Sequence, residues 1–340
     1  MKQHKILGAL YGAAYGDSLG AVSEFCTRKE IVDAFPNGLT DYAQSISRIT
    51  AGITPGQVTD DFGSSCYVME SILKYKGVFN RDIAIEALLK WSTDEEVFGK
   101  YAGMNTKEAM VRLRDGIVIN EMDKQRHFAG KNTNGGAMKV NPVALLAQGN
   151  HDQTIVYTLD LCWPTHYNSA AASGACAIAC AINEAQNPSA TVNTIIDKAI
   201  QGAKRSRQQL DSEGYYAFGP YVENRIQQAV ILSENCKNND DIIRVLDEEI
   251  GTGIQVQGSV AAVFAIIAAT KGSFADAIYC AVNAGGDTDT MASMIGAILG
   301  GYHGMEVIPK TAIEKINSIN SNLNLKNIVY SYTELVGKEE

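Results

Sequence analysis

Apolar residues recur near helical spacing along most of the 340-residue chain, the pattern that marks amphipathic helices. Runs of this kind cover 5–21, 60–75, 80–92, 135–147, 166–185, 190–205, 220–235, 239–249, 255–270, 273–283, 288–301, 309–318 and 327–337. Asn80, Thr191 and Ser273 stand just before three of these runs and are predicted N-caps. Strand-type alternation is confined to short pieces near 46–58 and 116–120, and the polar stretch 204–217, KRSRQQLDSEGYYA, predicts a loop. Two runs, SAAASGACAIACAINEA and GSVAAVFAIIAAT, are built from small residues that let helices approach closely. No repeat of fixed period and no Pro/Gly/Ser linker breaks the pattern. The expectation is an all-α fold, one compact multi-helix domain over 1–340.

Composition adds mainly exclusions. The chain is 46% hydrophobic and 20% charged with a net charge of −9 and no basic run, so a phosphate-tracking nucleic-acid binder is excluded as a class. No stretch reaches the roughly 18 unbroken apolar residues of a membrane span. The start, MKQHKILGALYGAAYGDSLG, reads as the mature N-terminus of a cytoplasmic protein rather than a leader. Seven cysteines, none in a C-x-x-C pair, suit buried free thiols in a reducing compartment.

Two short segments carry the chemistry. Thr59-Asp60-Asp61 and Gly285-Gly286-Asp287-Thr288-Asp289-Thr290 each set paired acids and a hydroxyl where an apolar helix begins. Either one alone is an ordinary capped start, because Thr and Asp are good caps and first-turn acids suit the helix dipole. Together they offer more carboxylate than capping uses. Asp287 and Asp289, two apart after a glycine turn, can aim at one centre with the Thr290 hydroxyl, and Thr59, Asp60 and Asp61 can close it from the facing helix. Four carboxylates exceed what one Mg2+ takes and suit two metals about 3.5–4 Å apart. No Cys/His spacing suggests a soft metal. Glu24 is a further ligand or water-orienting base, and Asp17 reads at least equally well as a hydrogen-bonded core acid.

The words GALYGAAYGDSLGAVSEF, PGQVTDDF, NTNGGAMKVNP, PTHYNSAAASG and GGDTDTMASMIGAILGGYHG, in this order, resemble the ADP-ribosylglycohydrolase family from near residue 7 to near residue 304. The resemblance implies an all-α domain with a binuclear Mg2+ (or Mn2+) cleft. It implies a glycosidase that hydrolyses the bond at ribose C1″ of ADP-ribosylated proteins or smaller ADP-ribosyl compounds. The implied metal ligands are Thr59, Asp60, Asp61, Asp287, Asp289 and Thr290, with Glu24, Asp60 and Asp61 as the catalytic acids. The implied phosphate-cradling loop is Asn134, Gly135, Gly136, Ala137 and Met138, with His166 near the phosphate or ribose.

The family pattern is broken on the acceptor side. Phe62 stands where a small polar residue is usual, Lys139 where Arg is common, and Asn168-Ser169 in a segment that often carries Pro. Tyr101 replaces an acid that arginine-cleaving members often place there, and IQVQGSVAAV at 254–263 lacks the usual acid and proline. Phe62 and Tyr101 are therefore expected to shape the substrate pocket, and Tyr215, Tyr216, Phe218 and Tyr221 offer rings for a base. Two other functions stay open: hydrolysis of a smaller N-ribosyl compound or nucleoside, and a non-catalytic, crystallin-like role.

Overall fold

The structure, a computed structural model, describes residues 2–116 and 131–338. Among them the regular elements are all helical, and the one isolated bridge pairs Thr133 with Gln255. In chain order the α-helices are α1 (Lys2–Gly20), α2 (Arg28–Ala34), α3 (Asp60–Lys74), α4 (Arg81–Trp91) and α5 (Met104–Arg114). Then come α6 (Asn141–Leu146), α7 (His151–Cys162), α8 (Ala171–Ala185), α9 (Val192–Ser212), α10 (Val222–Ser233) and α11 (Asn239–Val245). The last are α12 (Val256–Ala269), α13 (Phe274–Asn283), α14 (Thr288–His303), α15 (Lys310–Ile319) and α16 (Leu325–Val336).

Several boundaries differ from the sequence reading. The strand expected near 46–58 is irregular chain, and the piece at 116–120 lies almost wholly outside the described residues. The loop expected at 204–217 is helix as far as Ser212. Its polar residues form the outer face of α9, whose Ala203, Ser206 and Leu210 are buried, so the run kept a helical period beneath a charged surface. The helix expected over 135–147 starts at Asn141, after a single 3-10 turn at Asn134–Gly136. The one expected over 166–185 starts at Ala171.

Helices α1 and α14, from opposite ends of the sequence, form the central pair. Gly8, Gly12, Gly16 and Gly20 are spaced by four and therefore line one face of α1. A Cβ at Gly12 would lie 2.1 Å from the Gly296 carbonyl, and one at Gly16 would lie 2.0 Å from that of Ala292. The two backbones are in direct contact. The pairing is antiparallel, since Gly8 meets Gly300 and Gly20 meets Asp289. The C-terminal end of α1 is thus delivered to the acidic N-terminal turn of α14.

One hydrophobic cluster runs through α1, α3, α8, α12 and α14 to α16, with a small satellite around Trp91 and Phe98. Around the central pair, α8 and α12 are apolar on nearly every side, and α16 closes the core with Tyr332, whose hydroxyl bonds the Pro142 carbonyl. All seven cysteines are free thiols, six of them buried. No helix among the described residues is long and apolar enough to cross a membrane.

Candidate active site

The site grows from the start of α3. Thr59 caps that helix, its hydroxyl accepting from the Asp61 N–H. Asp17, fully buried on α1, accepts from the Thr59 N–H at 3.0 Å, the Thr59 hydroxyl at 2.8 Å and the Phe62 N–H at 2.9 Å. Both of its oxygens are occupied, so Asp17 is the hydrogen-bonded core acid that fastens α3 to α1. With the cap supplied by Thr59 and Asp17, the second oxygen of Asp61, Oδ1, is buried without a partner.

The facing half comes from the turn before α14. Gly285 and Gly286 have φ of 81° and 78°, the left-handed region that favours glycine. A side chain at Gly286 would also strike Thr252. This turn exchanges two bonds with the segment after Glu24, from the Phe25 N–H to the Gly286 carbonyl at 2.7 Å and from the Gly286 N–H to the Cys26 carbonyl at 3.1 Å. The Asp287 N–H is donated to the Thr252 carbonyl at 2.7 Å. Asp287 occupies the N-cap position of α14 but makes no side-chain cap bond; its Oδ2 accepts instead from Asn134 at 2.6 Å. The bland capping reading therefore fails for this residue.

Two triads of carboxylates result. Oxygens of Asp17, Asp61 and Asp289 lie within 4.8 Å of one another, as do oxygens of Glu24, Asp287 and Asp289. Asp289 is shared, so the acids form two adjoining pockets of negative charge. Asp60 belongs to neither triad, although it is close enough for the Asp17 and Asp287 charges to act on it. It is also less buried than Asp61.

Burial and mutual repulsion disfavour the charged form of these acids. Burial first, then the charges of Asp287 and Asp60, push Glu24 up to about 9. Asp60 rises to about 8 through burial and the Asp17 charge, with Lys139 opposing. Burial raises Asp17 to about 6 against its three hydrogen bonds. Asp61 and Asp289 lie well above the usual carboxylate range and Asp287 also rises, in each case chiefly through burial. Lys139 is the cation that acts on this cluster, and its own charge is disfavoured by burial. Buried carboxylates at this density call for a cation, and two orphaned oxygens, Glu24 Oε2 and Asp61 Oδ1, stand ready for one. The donor set is all oxygen, which fits a hard divalent ion.

The loop from 133 to 138 borders the acids. Asn134 joins Asp287 to the Ser259 hydroxyl. The Ala137 and Met138 N–H groups are donated to the Asn134 carbonyl, which closes the 3-10 turn through Gly135 and Gly136. His166 lies beneath them. It is buried, with Nε2 3.1 Å from the Thr133 hydroxyl and Nδ1 2.7 Å from that of Thr165. Burial and the nearby Lys139 and Lys131 keep it neutral. A Cβ on Gly135 would sit 2.8 Å from Nε2. His166, which the family resemblance sets near the phosphate or ribose, therefore packs directly beneath the loop.

Other expected residues move out of the site. Phe62 has no exposed surface and packs in the main core; it cannot line a substrate pocket, and only its N–H serves the site. Tyr101 follows the turn Glu95–Gly99 with its hydroxyl buried and without a partner, and no contact among the described residues joins it to the acids. Tyr215 is buried against Tyr167 and Trp163. Tyr216 and Phe218 remain exposed beside the loop, where the Phe218 carbonyl accepts from Asn132, and Tyr221 lies under the Arg207 guanidinium. Sequence reasoning missed Thr252 and Ser259, whose roles depend on tertiary bonds that carry no local signal.

Comparison with known proteins points to one family. A family model described as ADP-ribosylglycohydrolase covers residues 1–337. The chain is 27% identical over 336 residues to the uncharacterized protein YegU of Escherichia coli K12, covering 95% of each. It is also 27% identical over 326 residues to the ADP-ribosylhydrolase ARH3 of Xenopus tropicalis, covering 89% of this chain and 88% of that one. Among solved structures, an ADP-ribosylglycohydrolase-related protein complex superposes with a TM-score of 0.69 at 21% identity over 98% of this chain and 99% of the other, a likeness of fold.

Proposed function

The chain belongs to the ADP-ribosylglycohydrolase family, and from that premise we propose that it is a metal-dependent glycosidase. Its substrate would be an ADP-ribosylated protein or a smaller ADP-ribosyl compound, cleaved at ribose C1″. The observation that carries this reading is the double carboxylate pocket around Asp289, with the free oxygens of Glu24 and Asp61 turned into a buried site. Thr59, Asp60, Asp61, Asp287, Asp289 and Thr290 would hold two Mg2+ (or Mn2+) ions. Ions bound there would supply a Lewis acid for the ribose hydroxyls and for a water.

The chain's own groups account for the rest. Water attacks C1″ as the bond to the leaving group breaks, through an oxocarbenium-like state that the surrounding carboxylates stabilise. Glu24, in the ionised form that a bound cation would favour, orients that water through its free Oε2 and takes its proton. Asp60, the least buried acid of α3's first turn, returns a proton to the departing oxygen or nitrogen. The N–H groups of Gly135 and Gly136 meet the pyrophosphate, and Phe218 with Tyr216 offers a face to the base.

The test is release of ADP-ribose from a modified protein and from a small ADP-ribosyl ester, each with Mg2+ and with EDTA. Turnover with Mg2+ that EDTA abolishes, and that falls more than about 100-fold in Asp61→Asn and Asp289→Asn, supports the reading, since even outer-shell changes cost roughly 10–100-fold. Turnover of a nucleoside but of neither ADP-ribosyl substrate would replace it with the smaller-ribosyl reading. Turnover unaffected by either substitution would remove the metal from the mechanism.

A further inference from the structure

We propose that a second ligand site, for a nucleoside phosphate, lies at the end of the bundle opposite the acids. A cavity of about 650 Å3 opens there, within the range of about 300–1,000 Å3 usual for small-molecule sites. Lys2 and Lys5 reach it from the first turns of α1, His151 from the start of α7, and Lys198 from α9. Eighteen residue steps of α1 separate Lys2 from Gly20, so roughly 27 Å of helix lies between this cavity and the cluster. The two sites share no lining residue.

The charge of the cavity is unbalanced. Three ammonium groups line it against one carboxylate, Glu184, which is occupied by His151 Nε2 at 3.1 Å. Lys2 bonds the Gln148 side-chain oxygen at 2.8 Å, and Lys5 lies on the carbonyls of Ala185 and Asn187 at 2.9 and 3.4 Å. None of the three lysines is paired with a carboxylate among the described residues. An anion fits this wall.

Unmet hydrogen bonds add the second requirement. Asn183 is 1% exposed, and its amide N–H is donated to the Ala144 carbonyl at 3.1 Å, while its Oδ1 has no partner. Both amide atoms of Gln186 are buried and unpaired, as is His151 Nδ1. Gln186 is seated against α14 at Gly301, where an added Cβ would come within 2.6 Å of its nitrogen. Buried polar atoms are normally satisfied, and here three side chains with unmet bonds line one cavity. Rotated out of the wall into the cavity, the Gln186 amide beside the Asn183 acceptor would match the edge of a nucleobase, the pairing that Asn and Gln make with adenine. Ile6, Leu145 and Pro188 give the ring apolar surface, and the lysines take the phosphate.

Calorimetric titration of the full chain in EDTA with AMP and with inorganic pyrophosphate tests the proposal. Lys2→Glu combined with Lys198→Glu should weaken AMP and pyrophosphate binding at least tenfold. Gln186→Met, which keeps the packing on Gly301 and deletes the amide, should weaken AMP at least fivefold and leave pyrophosphate unchanged. Both proteins should keep wild-type melting temperature and ADP-ribosyl turnover, so failure here is distinct from failure of the catalytic reading. AMP binding that is absent, or the same in wild type and both variants, overturns the site. Loss of AMP binding with the lysines but not with Gln186→Met overturns its assignment to a nucleotide in favour of a bare anion.

Discussion

Asp17 of α1 and Asp61 of α3 are linked through the Thr59 hydroxyl, yet their carboxylates have opposite duties. Asp17 is saturated by three donors from Thr59 and Phe62, whereas Asp61 keeps an oxygen free. Asp17→Asn leaves one acceptor oxygen facing those donors and turns an amide N–H toward one of them. Stability should drop by about 1–3 kcal/mol and metal affinity by roughly 10–100-fold, measured by urea unfolding and by titration with Mn2+. The raised acids also fix a pH dependence. Between the ordinary carboxylate value near 4 and the folded values of about 6 for Asp17, 8 for Asp60 and 9 for Glu24, the native state holds more protons than the unfolded one. Stability of the metal-free protein must then fall as pH rises from about 5 to 9. Mg2+ replaces those protons, so the melting temperature gained on adding it should be larger at pH 8 than at pH 5. An equal gain at both would contradict the protonated cluster. Residue types were legible in the sequence because acids paired at two helix starts exceed what capping requires. Their division of labour was legible only in part: a core-acid reading of Asp17 stood beside a ligand role, and the backbone donors that decide between them are brought by the fold. Phe62 was misplaced for the same reason: adjacency to a site in sequence says nothing about which side of the backbone a ring takes.

The central element is the α1–α14 contact, where Gly12 and Gly296 bring the backbones together. Gly12→Ala would place a methyl 2.1 Å from a backbone oxygen, which no rotamer change relieves. The helices must separate, at a cost above the about 1–3 kcal/mol of ordinary overpacking. Because Gly20 and Asp289 meet on the same seam, that separation should also weaken Mn2+ binding. Gly99→Ala, with open space around it, should stay within about 0.5 kcal/mol of wild type. Chemical denaturation compares the two, and equal stabilities would rule out the tight seam. Helix identity was readable wherever an apolar stripe and a cap coincide, as at Asn80, Thr191 and Ser273, all of which cap their helices through side-chain oxygens. It failed where tertiary bonds decide, as at 135–140, where the Asn134 carbonyl takes two successive N–H groups and tightens the chain into a 3-10 turn.

At the scale of the molecule, the acids come from residues 17–61 and 287–289 and meet only when α1 and α14 pack. The site therefore exists only in the fully assembled core, and the core has no separable half that retains it, since one hydrophobic cluster spans α1 to α16. A ligand that binds such a site stabilises the whole domain by mass action, about 2.7 kcal/mol at a hundred times its dissociation constant. Calorimetry should accordingly show one cooperative transition that moves upward as a unit with Mg2+ or Mn2+, by a few degrees under those conditions, given the steep unfolding entropy of a chain this long. The shift should vanish in Asp289→Asn, which touches both carboxylate triads. A transition that splits on metal addition, with only part of the heat moving, would mean that α1 and α14 belong to units able to unfold independently. That result would contradict the shared core, whereas a single unmoved transition would leave the fold intact and remove the metal.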